Sequence, residues 1–329
     1  MKNILLVLLV AGLCQEAWGQ SHFFGSRVAR YSPGVGNALF ADATKSLGGP
    51  TGGGYSNGST DVVTLGVQGE LVLGFTGGQY LADGPGKDLI VFENAFGAAS
   101  ARFAELVRVG VSTNGTDFAF FPCWCGITQP VESYQPIDSS KVSGFAGVGA
   151  VFANTSGSGN GIDPYNPSVA GGDAFDLSGL ASNPLVLSGK VQLSNIRYVL
   201  MKDVLGDGSE LDSSGNKIYD PTGNMDPPYN NAMSADIDAI SIVNGQTAIA
   251  GDVNGDGTVT FRDYIVLESN FGKSNMDWWS GDLNGDGVVN FKDYVVLEAN
   301  FGKSAGVPEP SLLAAVLAAF AALRRKKQR

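Results

Sequence analysis

A 24-residue segment occurs twice near the C-terminal end of this chain, and it constrains the fold more than any other feature. Residues 251–274 and 281–304 agree at 18 of 24 positions, at an offset of 30. Repetition this close indicates two copies of one structural unit. Each copy contains the spacing Asp-x-Asn-x-Asp-Gly, followed by Asp at the twelfth position of the same loop.

This spacing is typical of a calcium loop. In such loops residues 1, 3 and 5 turn side-chain oxygens inward, a glycine at residue 6 allows the turn, and residue 7 gives its carbonyl. Residue 9 coordinates the ion directly or through a water molecule, and residue 12 completes the coordination shell. An all-oxygen set of this size favours calcium over zinc or magnesium. We therefore expect two calcium ions, held by Asp252, Asn254, Asp256, Thr258, Thr260 and Asp263 in the first loop and by Asp282, Asn284, Asp286, Val288, Asn290 and Asp293 in the second.

A helix is predicted after each loop, over residues 264–271 and 294–301, with Gly272 and Gly302 placed as C-caps. Loop plus exiting helix, twice, with Asp at residue 12, resembles a type I dockerin over residues 250–304. The resemblance implies calcium binding and docking of a cohesin domain, often in assemblies of polysaccharide-degrading enzymes.

In that family the docking contacts include loop residues 10 and 11, which here are Phe261, Arg262, Phe291 and Lys292. Many cellulosomal dockerins carry small hydroxyl residues at these positions. The expected partner is therefore a cohesin-like domain or another protein.

Residues 20–246 contain many short apolar runs separated by turn signals. Glycine is frequent, with 46 residues, and only 16% of residues are charged, which suits short strands joined by tight turns. We predict a mainly β chain with an antiparallel, jelly-roll-like β-sandwich, followed by the small α-helical module. The predicted strands are 61–65, 70–75, 88–92, 106–112, 118–121, 191–193, 197–201 and 237–243, with a hairpin at Asn114-Gly115.

Four phrases in this region, residues 86–96, 111–115, 171–177 and 236–240, resemble an uncharacterised family of bacterial cell-surface jelly-roll domains. That family is distantly similar to carbohydrate-binding modules. The resemblance implies a surface location and no particular activity. Binding of a glycan or another surface component is the expected role.

Acidic residues also cluster in the large region. Asp203 ends one predicted strand, and further aspartates lead to Asp236 and Asp238. Loops on the rims of sandwiches often hold a structural calcium, so these three residues form a candidate third calcium site. A solvated acidic loop is the alternative.

Charge and composition narrow the function. The formal net charge is −11, which disfavours binding to nucleic acid. The one histidine, His22, lies near the start, which argues against Ser-His-Asp hydrolysis and zinc sites with several histidines. The leading hypothesis is therefore a non-catalytic surface or matrix protein.

A polysaccharide-degrading enzyme, or its accessory subunit, is the alternative function. It rests on the association of dockerins with such enzymes. A glycoside hydrolase needs two carboxylates flanking a sugar. Glu93, Glu105, Asp173 and Asp176 are available, but no spacing singles out a pair.

Two closely spaced cysteines, Cys123 and Cys125, lie in the large region. Two residues apart on an extended strand, their Cβ atoms are too far apart for a disulfide. A turn at Pro122 and Gly126 would bring the two cysteines close enough for a disulfide. The sequence is therefore compatible with a local disulfide and with two buried thiols.

Both chain ends carry targeting signals. Residues 1–19 have the charged start, short apolar run and small residues of a secretory signal peptide. Residues 307–329 contain Pro-Glu-Pro, an apolar stretch that would form a helix of roughly 20 Å, and a basic cluster. This order resembles the PEP-CTERM sorting signal, which implies cutting by an exosortase. We expect export, transient tethering to the inner membrane as a transmembrane helix, and then a cell-surface or extracellular location; a plain C-terminal membrane helix is the alternative.

Overall fold

The computed structural model describes residues 21–36, 40–98, 101–224 and 234–305. They belong to two compact units, Gln20–Thr247 and the chain from Ala248 onward, called here the β unit and the repeat unit. The expected signal peptide and sorting tail lie outside the described residues. Over the ranges that are described, no helix is long and apolar enough to cross a membrane.

Two antiparallel sheets make up most of the β unit. In the first sheet, β17 pairs with β1, β3, β5 and β6, and β6 also pairs with β13. The second sheet has the order β10-β9-β14-β4-β2. The strands are β1 Ser21–Phe24, β2 Arg27–Ser32, β3 Val63–Thr64, β4 Glu70–Gly74, β5 Gln79–Leu81, β6 Leu89–Glu93, β7 Phe96–Ala98, β8 Ala101–Phe103, β9 Val107–Ser112, β10 Ala119–Phe120, β11 Trp124–Cys125, β12 Val142–Ser143, β13 Asp173–Phe175, β14 Tyr198–Asp203, β15 Asp207–Leu211, β16 Lys217–Tyr219 and β17 Asp236–Thr247. A four-residue helix, α1, spans Pro184–Leu187.

The main core lies between the two sheets, where alternate residues of each strand point inward. Val107, Val109 and Val111 of β9 are buried there, together with Leu89 and Val91 of β6. Burial of both inner faces makes this a sandwich. The predicted mainly β, antiparallel fold class is confirmed.

Strand β6 is buried on both of its faces. Ile90 and Phe92 point away from the main core, into a second apolar cluster that contains Val151, Ala153 and Ala170. A strand covered on both sides needs no polar alternation. This explains why the sequence there reads as one continuous apolar run.

Two local predictions for the β unit have different outcomes. The Asn114-Gly115 hairpin is confirmed: it joins β9 to β10, and the side chain of Asn114 accepts hydrogen bonds from the backbone of Thr116 and Asp117. The predicted strand at 191–193 is wrong, because this segment is a bend and turn. Val191 is nevertheless fully buried in the core and Leu193 packs partly buried against it, so the apolar run reflects burial and not strand pairing.

The repeat unit contains two helices, α2 Phe261–Ser269 and α3 Phe291–Asn300. Both begin three residues earlier than predicted, because Thr260 and Asn290 form capping boxes with the aspartate three residues on. Both helices also end earlier than predicted, and their C-cap residues are Asn270 and Phe301. Gly272 and Gly302, which were predicted as the caps, lie after these residues and have φ of +80° and +84°. The core beneath is formed by Val253, Val259, Leu267, Leu283, Val289 and Leu297.

The two repeats interlock through backbone hydrogen bonds. In the first loop, the N–H of Val259 donates to Lys303 O at 2.8 Å, and Gly302 N–H donates back to Val259 O at 2.8 Å. Val289 of the second loop pairs in the same way with residues 272–273. Each loop is therefore joined to the segment that follows the other repeat's helix, and neither repeat is a complete fold by itself.

Candidate metal centre and interaction surface

The first aspartate of each loop organises the backbone around it. Asp252 is 2% exposed, and its Oδ1 accepts from Gly255 N–H at 2.8 Å and from Asp256 N–H at 3.1 Å. Its Oδ2 accepts from Gly257 N–H at 2.9 Å. Asp282 makes the same three bonds in the second loop. The φ of +84° at Gly257 is the reason that this position requires glycine.

The aspartate at residue 12 closes each loop onto its helix. Asp263 is fully buried, and its Oδ1 accepts from Asn254 N–H at 3.0 Å while its Oδ2 accepts from Thr260 N–H at 2.8 Å. Asp293 has the equivalent bonds in the second loop. Oδ1 of Asp263 and Oδ2 of Asp293 each accept one such bond and keep a lone pair, so both residues remain able to bind a cation.

The acidic side chains of the first loop differ in their electrostatic setting. Burial raises the pKa of Asp252 above its usual value. Asp256 lies nearer to solvent, and the hydroxyl of Thr258 is the main cause that lowers its pKa. The loop thus combines a desolvated carboxylate with an exposed one that stays ionised.

Residue 9 of each loop has a second task. The side-chain oxygens of Thr260 and Asn290 accept from the backbone N–H of Arg262 and Lys292, at 3.2 and 2.9 Å, and so cap the helices. An oxygen used as a helix cap is better placed to contact a cation through a water molecule. The remaining donors are carboxylates, an amide and a backbone carbonyl. This donor set fits a hard cation such as calcium.

The three residues of the expected third site engage separate parts of the β unit. Asp203 accepts from the backbone of Gln68 and Ala235, Asp238 accepts from Thr51, and Asp236 accepts from the hydroxyl of Thr64. Part of the expected acidic loop is in fact the hairpin β15–β16.

A different acidic group comes together instead. Among the described residues, the group of three whose ligand atoms lie within 4.8 Å of one another is Asp83, Asp88 and Asp176. The residues proposed from sequence are not part of it.

An apolar cavity of about 890 Å³ opens between α2 and α3. Phe261 and Phe291, two of the predicted docking residues, are 62% and 66% exposed beside it, and Arg262 and Lys292 are exposed next to them. The cavity is lined by Phe261, Tyr264, Leu267, Glu268, Phe271, Phe291, Tyr294, Leu297, Glu298 and Phe301.

Two aromatic residues of this surface were missed from sequence. Phe271 and Phe301 are 53% and 57% exposed at the ends of the helices. The same residue type occurs at this position in both repeats, which could have indicated a shared surface, but the sequence analysis used these residues only to place the helices. With Tyr264 and Tyr294 in edge contact, at 6.0 Å between ring centroids, the two repeats present one continuous aromatic surface.

The four carboxylates considered for hydrolysis differ in their access to solvent. Glu93 and Glu105 are 1% and 6% exposed, and Asp176 caps a short helical turn through the N–H of Ser178. Burial raises the pKa of Asp173 to about 6. Glu93 and Glu105 are therefore too enclosed to flank a sugar, whereas Asp173 and Asp176 are half-buried and both line a cavity of about 320 Å³.

The cysteines are buried. Cys123 and Cys125 are free thiols in the cluster around Phe145, and burial raises the pKa of Cys123. A raised thiol pKa lowers the reactive thiolate fraction. Because both side chains are buried, at 5% and 1% exposure, they pack as small apolar groups in this structure.

Two interlocked loop–helix units with oxygen-rich loops define a paired calcium-loop module. Residues 250–302 match the model of the dockerin type I domain family. The repeat unit thus contains a dockerin domain, which is a calcium-binding module for protein assembly and implies a cohesin domain as the partner.

One solved structure, a Type II cohesin-dockerin domain from Bacteroides cellolosolvens, is 38% identical to this chain over the aligned part, with a TM-score of 0.17. The alignment covers 18% of this chain and 97% of that chain. No curated protein matches the chain.

Proposed function

We propose that this chain is an exported, non-catalytic protein of a bacterial cell surface or matrix, anchored into an assembly by its dockerin domain. The observation that carries the proposal is the aromatic surface between α2 and α3. Phe261, Phe291, Phe271 and Phe301 are each more than half exposed there. Contiguous exposed apolar surface of this kind is typical of a protein–protein interface.

Calcium would act on this surface through the loops. Each helix starts at the residue after a loop ligand position, and its third residue is the closing aspartate, Asp263 or Asp293. Two ions, one in each loop, would fix where both helices begin and therefore where Phe261 and Phe291 point. Docking should then require calcium as well as the aromatic side chains.

A binding experiment with the full chain tests this. The probe is an immobilised cohesin domain, offered in calcium and again in EGTA. The double variant Phe261→Ala with Phe291→Ala should bind at least about tenfold more weakly, since central aromatic residues commonly contribute 2 kcal/mol or more to an interface. Leu187→Ala, at a residue 74% exposed in the β unit, is the matched control and should bind normally. Unchanged binding by the double variant would contradict the proposed surface.

The β unit is proposed to bind a glycan or another surface component. Tyr55 and Tyr134 are 46% and 59% exposed, and the ring of Tyr134 stacks on Phe103 at 6.1 Å. Phe96 continues this group, with its ring 5.1 Å from Phe103. Exposed aromatic faces of this kind offer stacking surfaces to sugar rings, which supports a binding role. Export through residues 1–19 and sorting through residues 307–329 by an exosortase complete the proposal and rest on sequence.

A further inference from the structure

A small cavity lies at one side of the sandwich, where the edges of the two sheets meet. In the strand orders, β13 is the last strand of the first sheet and β10 is the first strand of the second. Phe175 belongs to β13 and Phe121 directly follows β10, and their ring centroids are 4.8 Å apart. Both residues line the cavity, which has a volume of about 320 Å³.

The apolar part of the lining is formed by phenyl rings that are already packed. Phe121, Phe145 and Phe175 are 7%, 2% and 5% exposed, so the wall exists without a ligand. Ligand sites are typically clefts of roughly 300–1,000 Å³ with an apolar or aromatic lining and a few polar groups. This cavity lies near the lower end of that range, so it suits one small ring and not a long chain.

Two aspartates supply the acidic part of the lining. Oδ2 of Asp173 accepts from the N–H groups of Val148 and Gly149, at 2.9 and 3.0 Å. Oδ1 of Asp176 accepts from the N–H of Ser178 at 3.0 Å and from the hydroxyl of the same residue. These bonds fix each half-buried carboxylate through one oxygen and do not involve the other oxygen. The cavity therefore offers fixed hydrogen-bond acceptors to a ligand.

Lys87 adds a positive charge to the same lining. Its side chain is exposed, and the N–H of the next residue, Asp88, donates to Phe175 O at 2.8 Å, which holds this segment against β13. Like charges brought together in a binding site are costly. The ammonium of Lys87 therefore disfavours a cationic ligand, and the two aspartates disfavour an anionic one. A neutral ligand with several hydroxyl groups and an apolar C–H face fits all parts of the lining.

We propose that this cavity binds one neutral sugar ring, the terminal residue of a glycan, whose hydroxyl groups donate to Asp173 and Asp176. The phenyl rings contact the C–H face of the sugar, and Lys87 donates to one of its oxygens. The inference rests on the proposed role of the β unit in glycan binding and gives that role a specific site. Tyr55 and Tyr134, the exposed rings named for that role, do not line the cavity.

Gly179 makes it possible to fill the cavity without a clash. It lies in the short helical turn Leu177–Leu180 and lines the cavity, and a Cβ at this position would have nothing within 4 Å. Gly179→Leu should therefore fold normally and occupy the space that the sugar needs. Gly179→Ala adds only one methyl group and is the matched control.

Asp176→Asn tests the carboxylate separately. Asparagine keeps an oxygen for the N–H of Ser178, so the turn should remain capped while the charge is removed. Asp138→Asn is the matched control, because Asp138 caps another short turn in the same way, through the N–H of Ser140 at 3.0 Å. Asp138 does not line the cavity.

Binding is measured on the full chain by saturation-transfer NMR. Free glucose, galactose and xylose are the neutral probes, choline is the cationic probe and glucuronate is the anionic probe. We expect transfer to at least one neutral sugar and to neither charged probe. Affinity for that sugar should fall at least about tenfold in Gly179→Leu and in Asp176→Asn, because each removes contacts that include a charge-assisted hydrogen bond. Both control variants should bind as the unaltered chain does.

Three results would overturn the proposal. These are no transfer to any of the three sugars, stronger binding of choline or glucuronate than of the sugars, and unchanged sugar binding by the folded Gly179→Leu variant. If Gly179→Leu fails to fold, Asp176→Asn decides the question. A glycan array with the full chain separates the two levels: glycan binding that is lost in Tyr55→Ala with Tyr134→Ala, but kept in Gly179→Leu, supports the proposed function and refutes the cavity. Absence of binding on the array as well would refute both.

Discussion

Gly281 tests the interlocking of the two repeats. Its φ of +107° lies where an L side chain is strained, and a Cβ there would lie 3.0 Å from the Cα of Leu267 in the opposite repeat's helix. The strained backbone costs about 1–2 kcal/mol, and overpacking against helix backbone adds about 1 kcal/mol more. Gly281→Ala should therefore lower the free energy of unfolding of the repeat unit by about 2–3 kcal/mol.

Gly272 provides the matched control. It also has a positive φ, of +80°, but a Cβ there would have nothing within 4 Å. Gly272→Ala should therefore cost only the backbone strain, about 1–2 kcal/mol. The difference between the two variants isolates the contact between repeats.

Urea unfolding in saturating calcium, followed by circular dichroism at the helical band, measures both variants. The signal reports α2 and α3, because α1 has only four residues. Equal destabilisation by the two substitutions would refute the argument that Gly281 is required by close packing between the repeats. Greater destabilisation by Gly272→Ala would refute it as well.

Three further outcomes are expected. For Asp212, burial raises the pKa of the carboxyl group, but hydrogen bonds from Cys125, Asn216 and Ser214 outweigh burial and lower that pKa to about 2. Its stabilising contribution should be complete above about pH 4 and lost as the pH falls through about 2, and Asp212→Asn should remove this pH dependence in acid unfolding curves. Asp252→Ala with Asp282→Ala should abolish the calcium-induced gain in helical signal, whereas either change alone should leave a weakened response; an unaltered calcium titration of the double variant would contradict the ligand assignment. Mass spectrometry of native protein should find a start near Gln20 and no residues after about Pro310, and an intact Arg329 would exclude processing of the tail.

The loops and helices of the repeat unit were predictable because their determinants are local. The aspartate spacing, the turn glycines and the helix after each loop all lie within a dozen residues of each other. Helix starts were missed by three residues because Thr260 and Asn290 were assigned only to calcium, although each also caps a helix. One side chain with two tasks gives a sequence pattern that either task alone can explain.

Contacts between the repeats were not predictable in the same way. Val259 is buried in the first loop, and its backbone partners are Gly302 and Lys303, which follow the helix of the other repeat. The residue spacing within either repeat does not specify this pairing between repeats, because each repeat contains a complete loop and helix of its own. The requirement appears only at Gly251 and Gly281, where close approach to the other repeat's helix excludes a side chain.

Glu93 illustrates the same limit in the β unit. In the sequence it follows four apolar residues and precedes Asn94, so it reads equally well as the polar end of a strand or as a catalytic acid. Pairing of β6 with β17 places the N–H of Asp236 against it, and Gly147 lies between its Oε2 and the backbone carbonyl of Glu105. These three partners lie 12 to 143 residues from Glu93 along the chain, and only the folded sandwich assembles them. A carboxylate enclosed in this way, only 1% exposed, is out of reach of a substrate in solution.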